Sequence, residues 1–526
     1  MKLIKFLKGM SFSLFGIIFL LSSCTKKYAD INTDRNTIAT IGAAELPFLF
    51  ARAQKEATPS IWNYQIAQNL FADQYAQYIA NTATYFPSDR LVIRMDWVGA
   101  AFNPIYTDVV PQLQSIFKAA DPTSAEYALA NVLWVVAFHK VTDYWGPIPY
   151  FKAGTPGNSV AYDPQDKIYD DFFKRLGAAV TVLKAKTTEK PYGDFDLMYS
   201  GDVNKWIKFA NTLRLRLALR ISKVDPARAK TEAEAAYAAG VLTDSPGDDA
   251  YIKRSETGRD NNGLSVMSDW NEFRMSASME SVLKGYSDPR MPVYFLPAEK
   301  TGTFEGHRNG LTTAQQTLNI NKYDANSHVG PRWTNADIYA GGIKGHLATP
   351  QNVMSTAEAY FLRAEGALLG WNMGSNAKQL YEDGITNSMK QWGIANNTVI
   401  TNYINGISTP VAPNDFLNSP PMTNIPVKFD AGNLTIQREQ IATQKWLAMF
   451  PDGHEAWADY RRSRALKLYP VANSDNPDIT NTATQWIRRI PFLESEKLSN
   501  KVEVDKAVQL LNGPDKVTTP LWWDKN

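Results

Sequence analysis

The spacing of apolar residues along the chain predicts a mainly helical protein. In the segment 204–222, Trp206, Phe209 and Leu213 recur at three- and four-residue steps and form one stripe, which is the pattern of a helix with one buried face. Similar spacing predicts further helices at 61–80, 97–118, 126–141, 355–369, 377–391, 437–450 and 455–464. Alternation typical of strands is scarce, so we expect an all-α fold.

Three long stretches lack helical periodicity and are rich in Gly, Asn, Ser, Asp and Pro. They run from about 242 to 350, from 401 to 433 and from 469 to the C-terminus, and the first contains one short helical candidate at 275–284. Disordered segments are typically poor in aromatic residues, whereas these stretches contain many. We therefore expect ordered, irregular loops packed on a helical scaffold, and loops of this length are usually functional.

Small and large side chains alternate in the segment 357–371. Small residues let neighbouring helices approach closely, and this alternation is typical of the paired helices of tetratricopeptide-type repeats. No clean 34-residue period runs through the chain, so any repeats are degenerate.

The N-terminus has the features of a bacterial lipoprotein signal. Residues 1–23 contain three lysines and no acid. The lysines precede an apolar stretch at 14–21, which is shorter than the roughly 20 residues of a membrane span. The sequence Leu-Ser-Ser-Cys at 21–24 resembles a lipobox, and Cys24 is the only cysteine of the 526 residues. We predict a signal peptide at 1–23, a lipid on Cys24 and a tether at 24–45. The alternative is an ordinary signal peptide that ends near a buried or reactive cysteine.

Charge argues against a nucleic-acid partner. Removal of residues 1–23 takes away three lysines and leaves 52 basic and 53 acidic residues, whereas nucleic-acid binding needs a clustered basic surface. Aromatic residues make up 12% of the chain, enough for both a core and a binding surface.

No motif for metal, cofactor or nucleotide chemistry is present. The five histidines are scattered without the spacing that places two ligands on one helix face, so we expect no metal and no cofactor. A glycosidase needs two nearby carboxylates, and Glu358 with Glu365, or Glu455 with Asp459, would supply a pair. Surface salt bridges or helix capping explain these pairs about equally well, so the sequence does not single out a catalytic acid.

Several strings, taken in order, resemble the SusD/RagB family of outer-membrane nutrient-binding lipoproteins, in particular its second subgroup. Each string is weak alone, but their number and order make the match strong. They are YADINTDRN (28–36), VTDYWGPIPY (141–150), YDPQDKIY (162–169), SDPR (287–290), STAEAYFLRAE (355–365), YEDGITNSM (381–389), IATQKW (441–446) and EAWADYRR (455–462).

The resemblance implies a right-handed array of tetratricopeptide-like helix pairs and an irregular region that holds the ligand site. We accordingly expect a helical domain at 46–526 with an irregular ligand-binding insert at about 242–350. The resemblance also implies a partner, a SusC-like TonB-dependent barrel of the outer membrane, and it implies no catalysis. The expected location is the outer membrane, through the lipid anchor and with display at the cell surface.

The shared strings have a structural interpretation, so we seek the ligand residues outside them. Trp446, Trp457 and Arg461 stand at steps suited to helix packing, which indicates a role in the scaffold or in partner docking. Aromatic rings in the irregular stretches can stack on apolar sugar faces or on peptide side chains, and Arg supplies directional hydrogen bonds. The candidate ligand-binding residues are Tyr85, Phe86, Trp270, Phe273, Arg274, Arg332 and Trp333.

The leading hypothesis is a lipoprotein that captures an oligosaccharide or peptide nutrient and delivers it to the barrel. Two alternatives remain open at the level of sequence. One is a lipid-anchored helical glycoside hydrolase, and the other is a periplasmic tetratricopeptide adaptor.

Overall fold

The computed structural model describes residues 41–61, 63–157, 159–257, 260–268, 270–334 and 346–525. The chain divides into two compact units, residues 1–45 and residues 46–526. The predicted signal peptide and the lipidation of Cys24 lie outside the described residues, as does the tether up to residue 40, and these stay predictions. The rest of this description concerns the larger unit.

Helices make up most of the regular structure of the larger unit. The α-helices of the described residues are α1 Leu46–Glu56, α2 Gly99–Pro104, α3 Val110–Ala119, α4 Ala125–Trp145, α5 Gln165–Lys184, α6 Val203–Arg220, α7 Pro226–Ala239, α8 Gly263–Ser268, α9 Ala277–Gly285, α10 Met291–Tyr294, α11 Thr313–Gln316, α12 Thr356–Leu368, α13 Ala377–Gln391, α14 Asn397–Ile404, α15 Leu434–Met449, α16 Gly453–Ser463, α17 Glu494–Ser499 and α18 Lys501–Gln509.

Wider and tighter helical turns and four short strands complete the described elements. Two π-helical segments span Gln65–Asp73 and Ile105–Val109, and 3₁₀ turns span Ser88–Arg90, Gly193–Phe195, Asn319–Asn321 and Tyr323–Ala325. The strands are β1 Ile79–Asn81, β2 Ala250–Ile252, β3 Phe273–Met275 and β4 Gln351–Met354. β1 pairs antiparallel with β3, and β2 pairs antiparallel with β4. The predicted all-α fold class is confirmed.

Helix α4 shows how the sequence determines a buried helix. Its apolar residues point in all directions, and nearly every side chain from Ala128 to Trp145 is buried, as predicted for a helix inside the core. It begins at Ser124, whose side chain accepts a hydrogen bond from the Tyr127 amide at 3.1 Å. It ends at Gly146, whose φ of +87° is open to glycine but rarely to other residues.

Neighbouring helices pack as pairs, in agreement with the tetratricopeptide-like expectation. α12 packs most extensively against α13, α6 against α7, and α4 against α5. At the first of these contacts Gly384 faces Phe361, and a Cβ on Gly384 would lie 2.8 Å from the Phe361 ring. A small residue is therefore what allows these two helices to approach, as the alternation at 357–371 indicated.

The predicted helix at 61–80 is partly wrong. The chain forms the π-helix Gln65–Asp73 and then enters strand β1. Strand β1 forms because β3, far along the sequence, offers its backbone groups in the register Ile79↔Met275 and Asn81↔Phe273. The apolar periodicity of 61–80 carries no information about that partner.

Buried ion pairs join the helices of the core. The side chain of Arg220 in α6 is 1% exposed and lies between Glu455 of α16 and Asp143 of α4, at 2.6 Å and 3.2 Å. The Asp143 carboxylate also accepts hydrogen bonds from Tyr169 at 2.6 Å and from Trp523 at 2.9 Å. These ion pairs and hydrogen bonds join five separate parts of the chain at one point.

None of the helices in the described ranges combines the length and the apolar character that a bilayer span requires.

Candidate functional site

The paired strands β1 and β3 position an exposed surface next to the loop that follows β1. Past the last paired residue, the Thr82 amide donates to the Glu272 carbonyl at 2.9 Å, and the Thr82 hydroxyl donates to the Asn271 carbonyl at 3.0 Å. The segment 270–274 is therefore held beside the loop that carries Tyr85.

Three aromatic rings near this junction face solvent. Tyr85 is 66% exposed, Trp270 is 40% exposed and Tyr323 is 46% exposed. Among the described residues, Trp270 is the only tryptophan with so much exposed surface. Because apolar rings are normally covered, a group of exposed rings indicates a binding surface. We call Tyr85, Trp270 and Tyr323, with the Glu272 carboxylate, the aromatic platform.

Glu272 is the polar centre of the aromatic platform. Its carboxylate accepts a hydrogen bond from the Tyr85 hydroxyl and another from Gln65 Nε2 at 2.5 Å. Partial burial and this contact with the carboxylate raise the pKa of Tyr85 to about 12. The Tyr85 hydroxyl therefore stays protonated at neutral pH, and its hydrogen bond helps to orient the ring.

Arg274 supports the platform from below and is not itself exposed. Its guanidinium lies 5.3 Å from the centre of the Tyr323 ring, and its Nε donates to the Tyr323 carbonyl at 2.8 Å. Nη2 donates to Asn271 Oδ1 at 2.7 Å. The side chain is 1% exposed, so the structure makes it a positioning residue for Tyr323 and removes it from the ligand-contacting surface predicted from sequence.

Phe86 and Phe273 are also covered by protein. Phe86 is 8% exposed and packs against Trp97 with ring centres 5.7 Å apart. Phe273 is 3% exposed because it lies in β3, opposite Asn81 of β1. Neither ring face is available to a ligand in this arrangement, in contrast to the expectation that both contact ligand.

Arg332 is half-buried and Trp333 is buried, and both pack against Trp392. Trp333 is 2% exposed and packs against Trp392 and Phe450, with ring centres 5.8 and 5.5 Å away. The Arg332 guanidinium lies 4.4 Å from the centre of the Trp392 ring. The structure thus brings Tyr85 and Trp270 together, places Arg332 and Trp333 against Trp392, and adds Tyr323, which the sequence argument missed.

The comparison with protein families decides the identity. A family model described as "SusD-like: Susd and RagB outer membrane lipoprotein" matches residues 28–524. The chain belongs to the SusD-like family. The resemblance seen in the ordered sequence strings is confirmed, and so is the location at the outer membrane as a lipid-anchored protein.

Solved SusD-like structures match over almost their whole length. A chitin-binding SusD homolog from Flavobacterium johnsoniae is 36% identical with a TM-score of 0.82, and the match covers 92% of this chain and 99% of that chain. SusD homologs from Bacteroides uniformis and Bacteroides ovatus are 30% and 28% identical, with TM-scores of 0.80 and 0.81. These two matches cover 91% and 92% of this chain, and 99% and 100% of those chains. The comparison with curated proteins gave no match.

Membership in the SusD-like family makes this chain a nutrient-binding protein of the outer membrane. Members of the family are binding proteins, and the arrangement of the acids in this chain suits that role. The two predicted carboxylate pairs, Glu358/Glu365 and Glu455/Asp459, lie in the helical core, where each acid is hydrogen-bonded to an arginine or a lysine. Glu358, for example, accepts from Nε and Nη2 of Arg216, both at 2.6 Å. Carboxylates held in this way form ion pairs within the helical scaffold.

Proposed function

We propose that this SusD-like lipoprotein binds a nutrient oligosaccharide on the aromatic platform and delivers it to a SusC-like TonB-dependent transporter at the cell surface. The observation that carries the proposal is the exposure of Tyr85, Trp270 and Tyr323 on segments that the β1–β3 pairing and Arg274 hold close together, with the Glu272 carboxylate bonded to Tyr85. Flat rings offer stacking surfaces to the apolar faces of sugar rings, and a carboxylate accepts hydrogen bonds from sugar hydroxyls.

The carboxylate of the platform suits a glycan, whose ring hydroxyl groups donate hydrogen bonds. Within the described residues Glu272 forms no salt bridge, and its two hydrogen-bond donors, Tyr85 and Gln65, are neutral. It therefore has lone pairs left to accept hydroxyl groups. The similarity to a chitin-binding SusD homolog supports the same choice, so β-linked N-acetylglucosamine oligomers are the first ligands to test.

Delivery to a barrel predicts a stable partner in the outer membrane. The protein, purified from outer membranes in mild detergent through a C-terminal affinity tag, is expected to bring down a large TonB-dependent barrel. The physical reason is that a ligand released from a lone lipoprotein would diffuse away, whereas a lipoprotein held at a transporter keeps the ligand at a high local concentration.

The control for this purification is the Cys24→Ser variant, which cannot receive a thioether-linked lipid. We expect it to be absent from the outer-membrane fraction and to bring down no barrel, and mass spectrometry of the wild-type protein should find the lipid on Cys24. Recovery of the lipidated wild-type protein only as a lone monomer would contradict the proposed delivery step.

A further inference from the structure

A second cavity lies where the loop after β1 meets the C-terminal segment 468–487. Its empty space is about 680 Å³ when the open solvent at the mouth is included. Its floor includes Gln74, Tyr75, Ser88 and Trp457, all of which are buried. Partly exposed residues of 468–487 form the mouth. We call this cavity the Gln74 pocket.

The floor of the Gln74 pocket carries polar atoms that the protein leaves without hydrogen bonds. Nε2 and Oε1 of Gln74, Oη of Tyr75 and Oγ of Ser88 have no partner among the described residues. The three residues are only 3%, 9% and 1% exposed. Buried polar groups are nearly always hydrogen-bonded in folded proteins. Four unpartnered atoms around one cavity therefore indicate that something polar fills it.

The same pocket is lined by aromatic rings. Tyr75 and Trp457 lie with ring centres 5.1 Å apart, and Tyr460 and Trp486 lie 6.2 Å apart nearer the mouth. Trp486 Nε1 also has no hydrogen-bond partner among the described residues. Tyr460 and Trp486 are partly exposed and offer the occupant apolar ring surface, whereas the buried rings of Tyr75 and Trp457 support the floor.

The lining is almost free of charge. Among the described residues that line the pocket, Asp89 is the only acidic or basic one, and burial raises its pKa to about 6. Its carboxylate is already occupied by Asn309 Nδ2 at 2.8 Å and by the Gly310 amide at 2.9 Å. The other polar atoms of the lining are neutral, which favours a neutral occupant.

We propose that the Gln74 pocket is a second binding site, separate from the aromatic platform, and that it takes one neutral sugar ring. A pyranose has hydroxyl groups that both donate and accept hydrogen bonds. They match the amide of Gln74, which has a donor and an acceptor, and the hydroxyl groups of Tyr75 and Ser88. It also has apolar C–H faces for the aromatic walls. The proposal goes beyond the platform, because the pocket would bind a single ring whether or not the platform binds an oligomer.

The experiment is calorimetric titration of the full-length lipoprotein in detergent with glucose, galactose and N-acetylglucosamine, each alone. We expect at least one sugar to bind. Ser88→Ala and Tyr75→Phe each remove one hydrogen bond and should weaken that binding about fivefold, and Gln74→Leu should weaken it about thirtyfold. The hydroxyl deletions remove atoms without protein partners, so the fold should be unaffected, and the melting temperature checks this.

Two variants serve as matched controls. Ser265→Ala removes another buried hydroxyl without a hydrogen-bond partner, one that does not line the pocket, and should leave the affinity for the single sugar unchanged. Trp270→Ala should also leave it unchanged while weakening oligosaccharide binding, which separates failure of this proposal from failure of the platform.

Two results would overturn the second site. One is a wild-type protein that binds none of the three sugars, which would mean that water alone satisfies the pocket. The other is single-sugar binding that survives Gln74→Leu, Ser88→Ala and Tyr75→Phe but is lost in Trp270→Ala, which would assign the sugar to the platform.

Discussion

Replacing Arg220 with methionine is expected to lower the free energy of unfolding by about 3–5 kcal/mol, the usual cost of removing one partner from a buried ion pair. The side chains of Arg220, Asp143 and Glu455 are 1%, 0% and 3% exposed. Methionine fills much of the volume but has no charge. The variant therefore leaves Asp143 without this ion pair and leaves Glu455 with only the more distant Arg216, at 3.7 Å. The poorly compensated buried charge destabilises the folded state.

Urea unfolding followed by circular dichroism measures this effect, and Arg52→Met is the matched control. Arg52 makes a contact of the same length, 2.6 Å, with Asp108, but its side chain is 56% exposed. An exposed pair of this kind contributes about 0–1 kcal/mol. Equal losses of stability in the two variants would contradict a structural role for the buried network.

The loss caused by Arg220→Met should depend on pH. In the wild-type protein, burial raises the pKa of Glu455 from 4.5 to about 7, although Arg220 and Arg216 lower it. Removal of Arg220 raises the pKa of Glu455 further. A carboxyl group whose pKa is higher in the folded state than in the unfolded state contributes less to stability as pH rises. The contribution falls between the pKa of the unfolded state and the pKa of the folded state. From about pH 4.5 to pH 7 this effect is the same in both proteins, so the stability deficit of the variant should grow only above about pH 7, where Glu455 is ionised in the wild type but still protonated in the variant.

The double variant Tyr85→Ala/Trp270→Ala is expected to weaken oligosaccharide binding about thirty- to thousandfold. Two exposed rings are lost from the platform, and a large aromatic contact in a binding site typically contributes about 1–2 kcal/mol. Both side chains face solvent, so the fold should be retained. Calorimetric titration with a bound oligosaccharide gives the affinity, and the melting temperature reports on folding.

Phe48→Ala is the control for the platform variant. Phe48 is 60% exposed and lies edge-on to Phe195 in another part of the chain. Its removal deletes an equally exposed ring and should leave the affinity unchanged. If the platform double variant bound the oligosaccharide as tightly as wild type, the ligand would have to sit elsewhere on the molecule.

Several helix positions could be predicted where an apolar stripe stands out from polar neighbours, although α5, Gln165–Lys184, has such a stripe and was missed. The prediction at 377–391 agrees with α13, Ala377–Gln391, whose N-terminus is also marked by the capping residue Asn376. Helix α7, Pro226–Ala239, was missed because its buried residues are alanines, which barely differ in hydrophobicity from the rest of that segment. Local periodicity fails when the buried face is made of small residues.

The candidate site could be predicted only in outline. The irregular stretches were expected to supply exposed aromatics, and Tyr85 and Trp270 are exposed, but Phe273 and Trp333 from the same kind of segment are buried. Exposure here depends on the pairing of β1 with β3 and on packing against distant helices. Neither the strand pairing nor the packing can be predicted from residue type. Tyr323 was missed for the same reason, since its position depends on the buried guanidinium of Arg274.

The central claim is that this lipoprotein binds a glycan. Its most direct test is calorimetric titration of the full-length wild-type protein with a panel of chitin oligosaccharides and other neutral glycans, alongside peptides of similar length. We predict saturable binding of at least one glycan and no binding of the peptides. Binding of peptides alone, or of no glycan in the panel, would contradict the account.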